Sequence, residues 1–274
     1  MLDLCYLIDS KGTNQRKGKA MQNQINFSEL LEKATTEPGI INKAYSAFHN
    51  YSVSNQWLAY FQCTVRNIPI GPIATFKAWN KKGRYVKSGE KAIELIMPVT
   101  RKVTKTKDGQ EEEVTFAQFI PRRYWFALSQ TAGNDIPSEP VPGWDKDKAL
   151  QALDITETQF DMVNGNIQGY ASERKIAISP IAAMPHKTMF HEIAHVLLNT
   201  GELSADSAEL HRNEKELEAE GVAMICCAIL NLPGIDEARG YIQSWYRQGS
   251  TIPEKVARRI IATANKIITA GATV

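Results

Sequence analysis

The chain has 274 residues, 43% hydrophobic and 23% charged, with a formal net charge of +2. That balance belongs to a globular protein of one or two domains and excludes a low-complexity, disordered chain. The longest apolar run, residues 221–232, falls short of the ~20 residues of a membrane span, so no membrane partner is expected.

In chain order, residues 1–24 are polar and read as a flexible arm. They lack a basic leader followed by an apolar stretch, which leads to the expectation of a cytoplasmic protein without a signal peptide. A first domain is expected over 25–131. Helix patterns open it at 27–33 and roughly 42–63, and β-patterned segments follow. Asp108-Gly109 sits between two such segments, a strong hairpin signal. The hairpin would set the basic residues of 101–107 opposite Glu111, Glu112 and Glu113.

Charge is unevenly distributed. Residues 1–140 hold 19 Lys+Arg against 13 Asp+Glu, whereas 141–274 hold 13 against 17. Residues 77–107 carry ten basic side chains and two acidic ones, Glu90 and Glu94. Aromatic residues interleave the cations. Lys81, Lys82, Arg84, Lys87 and Lys91 surround Trp79 and Tyr85, and Arg122 and Arg123 precede Tyr124 and Trp125. Phe48 and Phe126 read as core. A solvated surface explains a charge run alone; cations among rings also suit single-stranded nucleic acid, where charges follow phosphates and rings stack on bases. The candidate contacts are Trp79, Lys81, Lys82, Arg84, Tyr85, Lys87, Lys91, Arg122 and Arg123.

Residues 132–148 read as a linker, rich in proline and glycine up to Trp144. The second domain, 149–274, is expected to be mostly helical. A helix is predicted to open near Lys146 and a strand near Lys175. One long helix begins close to Pro185 and ends before Gly201. A second spans about 213–232 and is stopped by Pro233. Cys226 and Cys227 lie within that pattern as small hydrophobes. With no CxxC pair, neither a disulfide framework nor a cysteine metal site is expected. The last helix opens at Pro253 and should bury Val256, Ile260, Ile261, Ala264, Ile267 and Ile268.

The first long helix contains FHEIAHVLLN. His191 and His195 at i, i+4 share one helix face and can reach one metal ion. Glu192 is placed to act as general base toward a water whose pKa a zinc ion would lower. A hydrolytic zinc site takes three protein ligands and leaves one position open. The metzincin pattern would need glycine at 198 and histidine at 201; Leu198 and Gly201 exclude it. The next helix reads EKELEAEGVA. Glu216 and Glu220 share a face there, so one can bind the metal while the other orients a ligating histidine. Glu216 is the first choice as ligand with Glu220 behind it; the reverse assignment and His211 stay open. Tyr170, before the strand KIAIS, reads as a packing residue or an oxyanion donor.

Several motifs in one order carry a family resemblance: YSxxN, WNKKGRYVKSGEKAI, FALSQT, the Pro-rich linker, HEIAH and KELEAE. Over about residues 27–270 the chain resembles the ArdC-type antirestriction proteins. The resemblance implies an α+β fold, with a single-stranded-DNA-binding N-terminal domain built around a β-hairpin. It also implies a C-terminal zincin-like, gluzincin-type metallopeptidase domain. Such proteins belong to conjugative plasmids. The C-terminal half is also similar to ImmA/IrrE-type peptidases. By resemblance, one Zn2+ would be held by His191, His195 and Glu216, with Glu192 as base. The chain departs from relatives that read EELxAE where it reads KELEAE. The expected partners are single-stranded DNA and an unknown protein substrate. The alternatives are a DNA-binding protector with a structural or vestigial metal, and a repressor-cleaving peptidase.

Overall fold

The computed structural model describes residues 25–107, 110–161, 167–199, 212–247 and 251–273. The expected arm at 1–24, the Asp108-Gly109 turn and His211 lie outside the described residues. The fold is α+β, and the chain forms two compact units.

The division differs from the expected one. Residues 26–57 pack with 139–274, and residues 58–138 form the other unit. The described residues begin with three helices: α1 (Phe27–Thr36), α2 (Ile40–Phe48) and α3 (Val53–Val65). Asn26 caps α1, its Oδ1 accepting the Glu29 N–H at 3.1 Å. The single helix expected over 42–63 is broken at residues 49–52. The reason for the changed boundary is apolar. Leu30, Leu31, Ile41, Ala44 and Phe48 are buried, and polar stitches tie these helices to distant sequence. The Ser28 N–H donates to Glu254 Oε2 at 3.0 Å, and Asn42 Nδ2 to the Ile229 carbonyl at 3.1 Å. The Val53 N–H donates to Asn265 Oδ1 at 3.0 Å.

The unit of residues 58–138 contains β1 (Ile73–Thr75), α4 (Phe76–Lys81), β2 (Arg84–Val86), β3 (Ile93–Lys107), β4 (Gln110–Ala127) and β5 (Thr131–Gly133). One sheet has the order β1-β4-β3, and β2 pairs with β5, all antiparallel. The long β3–β4 pairing sets Lys105 opposite Glu112, the hairpin register expected from the charges. Where Ile93 meets Trp125 and Glu94 meets Arg123, Tyr124 is left without a cross-strand partner: a β-bulge. Side-chain amides complete the sheet. Gln62 on α3 donates to the Glu94 carbonyl at 2.7 Å, and its Oε1 accepts the Glu94 N–H at 2.9 Å. Buried Gln130 accepts the Ala127 N–H at 2.9 Å and donates to the Lys91 carbonyl at 3.0 Å.

The other unit continues with β6 (Gly143–Trp144), α5 (Lys146–Ala152), β7 (Thr156–Glu157), β8 (Gly169–Ser172), β9 (Lys175–Ile178), α6 (Pro185–Asn199), α7 (Arg212–Ile229), α8 (Ile235–Arg247), α9 (Glu254–Gly271) and β10 (Ala272–Thr273). The expected 132–148 linker is therefore not all linker. Gly143 and Trp144 pair with β10, and the Trp144 ring packs edge-on against Phe190 with centroids 5.2 Å apart. The β7-β9-β8 sheet packs with α6, whose Phe190, Ile193, Ala194, Leu197 and Leu198 are buried. All six apolar residues expected inside the last helix are buried, as are Cys226 and Cys227. Between α7 and α9 lies a buried ion pair. Arg259 donates from Nε to Glu218 Oε1 at 2.6 Å, from Nη2 to Glu218 Oε2 at 3.2 Å, and to the Leu198 carbonyl at the end of α6 at 3.3 Å. Among the described residues, no helix is long and apolar enough to cross a membrane.

Candidate metal centre

Helices α6 and α7 lie antiparallel and face each other through two polar stripes. On α6 the stripe is Lys187, His191 and His195; on α7 it is Glu220 and Glu216. Each stripe repeats at four-residue spacing, so its members stack on one helix face. Glu218 points the other way, into the Arg259 pair. Within the acidic cluster, Glu216 and Glu220 thus stand at the stripe while Glu218 is a structural carboxylate.

Three donor atoms converge. His191 Nε2 and His195 Nε2 are 3.0 Å apart, and Glu216 Oε2 lies 3.4 Å from the first and 3.7 Å from the second. Bonds of about 2.05 Å to a tetrahedral ion would separate ligand atoms by about 3.4 Å. The observed spacings bracket that edge, so His191, His195 and Glu216 can hold a divalent metal. Glu220 Oε2 lies 3.1 Å from His191 Nδ1, and its other oxygen pairs with Lys187. A hydrogen bond from Nδ1–H to Glu220 leaves the His191 Nε2 lone pair facing Glu216 and His195.

The electrostatics follow from these contacts. Burial pushes the Glu220 carboxyl up, but the hydrogen bonds from His191 and Lys187 outweigh it and hold the group below its ordinary range. Burial disfavours the His191 cation, yet the surrounding carboxylates, Glu220 foremost, raise its pKa. At His195, burial and the neighbouring His191 charge lower it. Glu192 is only 8% exposed. Burial, reinforced by Glu216, pushes its carboxyl up to about 7 against the opposing pull of His191.

Strand β8 lines this side of α6. A Cβ on Gly169 would stand 2.7 Å from Thr188 Cγ2 and 3.2 Å from Glu192 Cγ, so only glycine lets the strand come this close. Alternation along the strand then sends Tyr170 to the opposite face. Its hydroxyl donates to Asp161 Oδ1 at 2.8 Å, which does not fit the oxyanion role. Lys187 and Gly169 escaped the sequence reading because neither belongs to the HEIAH or KELEAE signatures.

The candidate nucleic-acid residues separate into several groups. Trp79 is corrected: it is 1% exposed, and its Nε1 donates to the Phe126 carbonyl at 2.8 Å, so its ring is core. Arg84 is corrected too. Its donors go to Thr131 Oγ1 at 2.8 Å and to the carbonyls of Thr131, Gly133 and Asn134, which fastens β2 to β5 and the chain beyond. Lys87 donates to the Ser129 carbonyl at 2.9 Å, and Arg123 pairs with Glu94 at 2.9 Å. Lys81, Lys82, Lys91 and Arg122 are exposed. Tyr85 is 60% exposed and Tyr124, read among the cations but not as a contact, is 51% exposed; two rings the sequence reading missed, Phe76 and Phe119, are exposed at 50% and 67%. The Tyr124 bulge was not readable from a pattern in which both strand faces carry apolar residues.

A helix-borne imidazole pair facing a carboxylate helix, with a buried glutamate beside it, defines the class: an α+β protein with a candidate divalent-metal centre. The comparisons narrow this. Residues 23–124 match the sequence model of the N-terminal domain of anti-restriction factor ArdC. The metal-free crystal structure of the antirestriction protein ArdC from plasmid R388 superposes with a TM-score of 0.51. It is 19% identical, over 89% of this chain and 94% of that one. The Mn(II)-bound structure of the same protein gives a TM-score of 0.49 at 17% identity, over 89% and 96%. No curated protein matches the chain. The ArdC-type resemblance read from the motifs is therefore borne out, by the sequence-model match in the N-terminal part and by fold over most of the chain.

Proposed function

We propose that the chain is an antirestriction-type protein of a mobile element that binds single-stranded DNA and carries a zinc-dependent peptidase centre. The observation that carries the catalytic half is the convergence of His191 Nε2, His195 Nε2 and Glu216 Oε2 at 3.0, 3.4 and 3.7 Å, with Glu192 buried beside them. A bound zinc would polarise a peptide carbonyl and lower the pKa of a water. Glu192, its carboxyl near 7, accepts a proton from the attacking water and returns it to the leaving nitrogen. A purely structural metal would need no buried base, so Glu192 favours hydrolysis over a metal that only braces the fold.

The DNA-binding half is supported by the match of residues 23–124 to the N-terminal domain of anti-restriction factor ArdC. It is supported also by exposed rings beside exposed cations: Tyr85, Phe119 and Tyr124 for stacking, and Lys81, Lys82, Lys91 and Arg122 for phosphates. A protein substrate would be one encountered on that DNA.

The test has two readouts. Zinc and manganese are offered to the wild type and to Glu192→Gln, and bound metal and cleavage of candidate proteins are measured. Metal retained with cleavage lost supports the reading, whereas loss of metal from the variant assigns Glu192 to ligation. In parallel, a labelled single strand and a duplex are titrated with and without chelator. Salt-sensitive binding of the single strand that survives chelation supports the DNA half, and absence of binding refutes it.

A further inference from the structure

Glu216 and Glu220 are the same chemical group, one turn apart on one face of α7, and both approach His191. Something outside the pair must decide which one meets the metal. We propose that Lys187 makes that choice, holding Glu220 behind His191 so that Glu216 alone is left as the ligating carboxylate. The inference rests on the metal reading above and goes beyond it by assigning a positioning residue.

The two carboxylates differ in their partners. Among the described residues, the ion-pair neighbours of Glu216 are the two imidazoles, reached at 3.4 and 3.7 Å through one oxygen. Its side chain is 43% exposed. Glu220 is 15% exposed and has both oxygens engaged: Oε1 with the Lys187 ammonium, and Oε2 with His191 Nδ1 at 3.1 Å. A carboxylate clamped at both ends cannot turn toward Nε2 without leaving the ammonium of Lys187, whose side chain is only 20% exposed, short of a partner.

Lys187 is itself held in place. It stands one helical turn before His191, on the same face of α6. The loop between α7 and α8 lies against its aliphatic stem. A Cβ at Gly234 would stand 3.0 Å from Lys187 Cδ and 3.1 Å from Lys187 Cβ, and Gly234 has φ +99, a conformation glycine adopts freely. Position, charge and packing thus fix an ammonium where it can neutralise Glu220. The consequence for His191 is geometric: its Nδ1 faces a carboxylate engaged at both oxygens, so its Nε2 is aimed toward Glu216 and His195.

The experiment is metal binding by the full chain. Zinc affinity is measured by competition with a chromophoric chelator, and the Co(II) absorption spectrum reports ligand number and type. Lys187→Met should weaken zinc binding by about 10-fold to 100-fold, the usual range for partners one layer behind a ligand, and should alter the cobalt spectrum. Lys187→Arg, which keeps the charge, should restore both. In a Glu216→Gln background, Lys187→Met should partly recover cobalt binding, because Glu220 is then released to serve as ligand. Wild-type affinity and spectrum in Lys187→Met would overturn the assignment while leaving the metal centre standing. A wild-type protein that binds neither ion overturns both.

Discussion

Arg259→Met removes the guanidinium from the buried pair between α7 and α9, and the outcome can be worked out from the structure. Arg259 and Glu218 are 4% and 1% exposed at their side chains. The Arg259 side chain makes two hydrogen bonds to Glu218, at 2.6 and 3.2 Å, and one to the Leu198 carbonyl at 3.3 Å. Removing one partner leaves a carboxylate stranded in the core, a loss of about 3–5 kcal/mol. The unit containing it, 26–57 with 139–274, has 168 residues. For that size about 1 kcal/mol moves Tm by roughly 2–4 °C, so a fall of roughly 6–20 °C is expected. Burial raises the Glu218 carboxyl and Arg259 opposes it; without Arg259 the pKa rises further. A folded-state pKa above the unfolded one gives stability that is present at low pH and lost as pH rises. The deficit of Arg259→Met should therefore shrink between pH 8 and pH 5. Glu218→Leu combined with Arg259→Met should recover most of the lost stability, because an apolar pair fills the space without a stranded charge. Thermal melts of the three proteins at both pH values make the measurement. A single variant that loses under about 1 kcal/mol, or a double variant no better than the single, would refute the account.

Metal binding should strengthen as pH rises, because His191 must be neutral to ligate and its surrounding carboxylates raise its pKa. In the metal-free protein, the raised His191 pKa gives stability lost as pH rises through that pKa. The depressed Glu220 pKa gives stability lost as pH falls through it. The His191–Glu220 contact should accordingly persist as a charged pair between about pH 4.5 and 6.5, as the imidazole NMR signals of His191 would report. Gly169→Val should press on Thr188 and Glu192, lowering cleavage while bound metal is unchanged; equal cleavage would remove β8 from the site. Phe119→Ala and Tyr124→Ala should each weaken single-strand binding by about 1–3 kcal/mol with an unchanged salt slope. Trp79→Ala should instead lower the stability of its unit, as a buried ring does.

The long helices were readable because their apolar periodicity agrees with their stop signals. α6 runs from the expected Pro185 to Asn199, and the last helix buries the face its spacing marked. The imidazole pair was readable because i, i+4 spacing fixes a shared face. What sequence could not separate was Glu216 from Glu220: the distinction lies in Lys187, 33 positions from Glu220 and outside any signature. Trp79 and Arg84 misled for a related reason. A tryptophan or an arginine in a basic segment reads alike whether its polar atoms face solvent or carbonyls of its own fold. The packing of residues 26–57 with the C-terminal half depends on contacts more than 180 positions apart, such as Asn42 with Ile229, and no local pattern encodes those.

That last feature bears on how the chain is made. Helices α1 and α2 leave the ribosome early, yet the carbonyl that receives Asn42 belongs to Ile229, 187 residues later. At about 5–20 residues per second, their apolar faces wait roughly 9–37 s for α7. Residues 58–138 can fold during that interval, since their pairings are internal. A fragment ending at 131 would keep the two helices and lose the surface they cover. A fragment beginning at 139 would expose that surface. Dissecting the protein into working halves therefore calls for excising 58–138 and rejoining its flanks, not for a single cut.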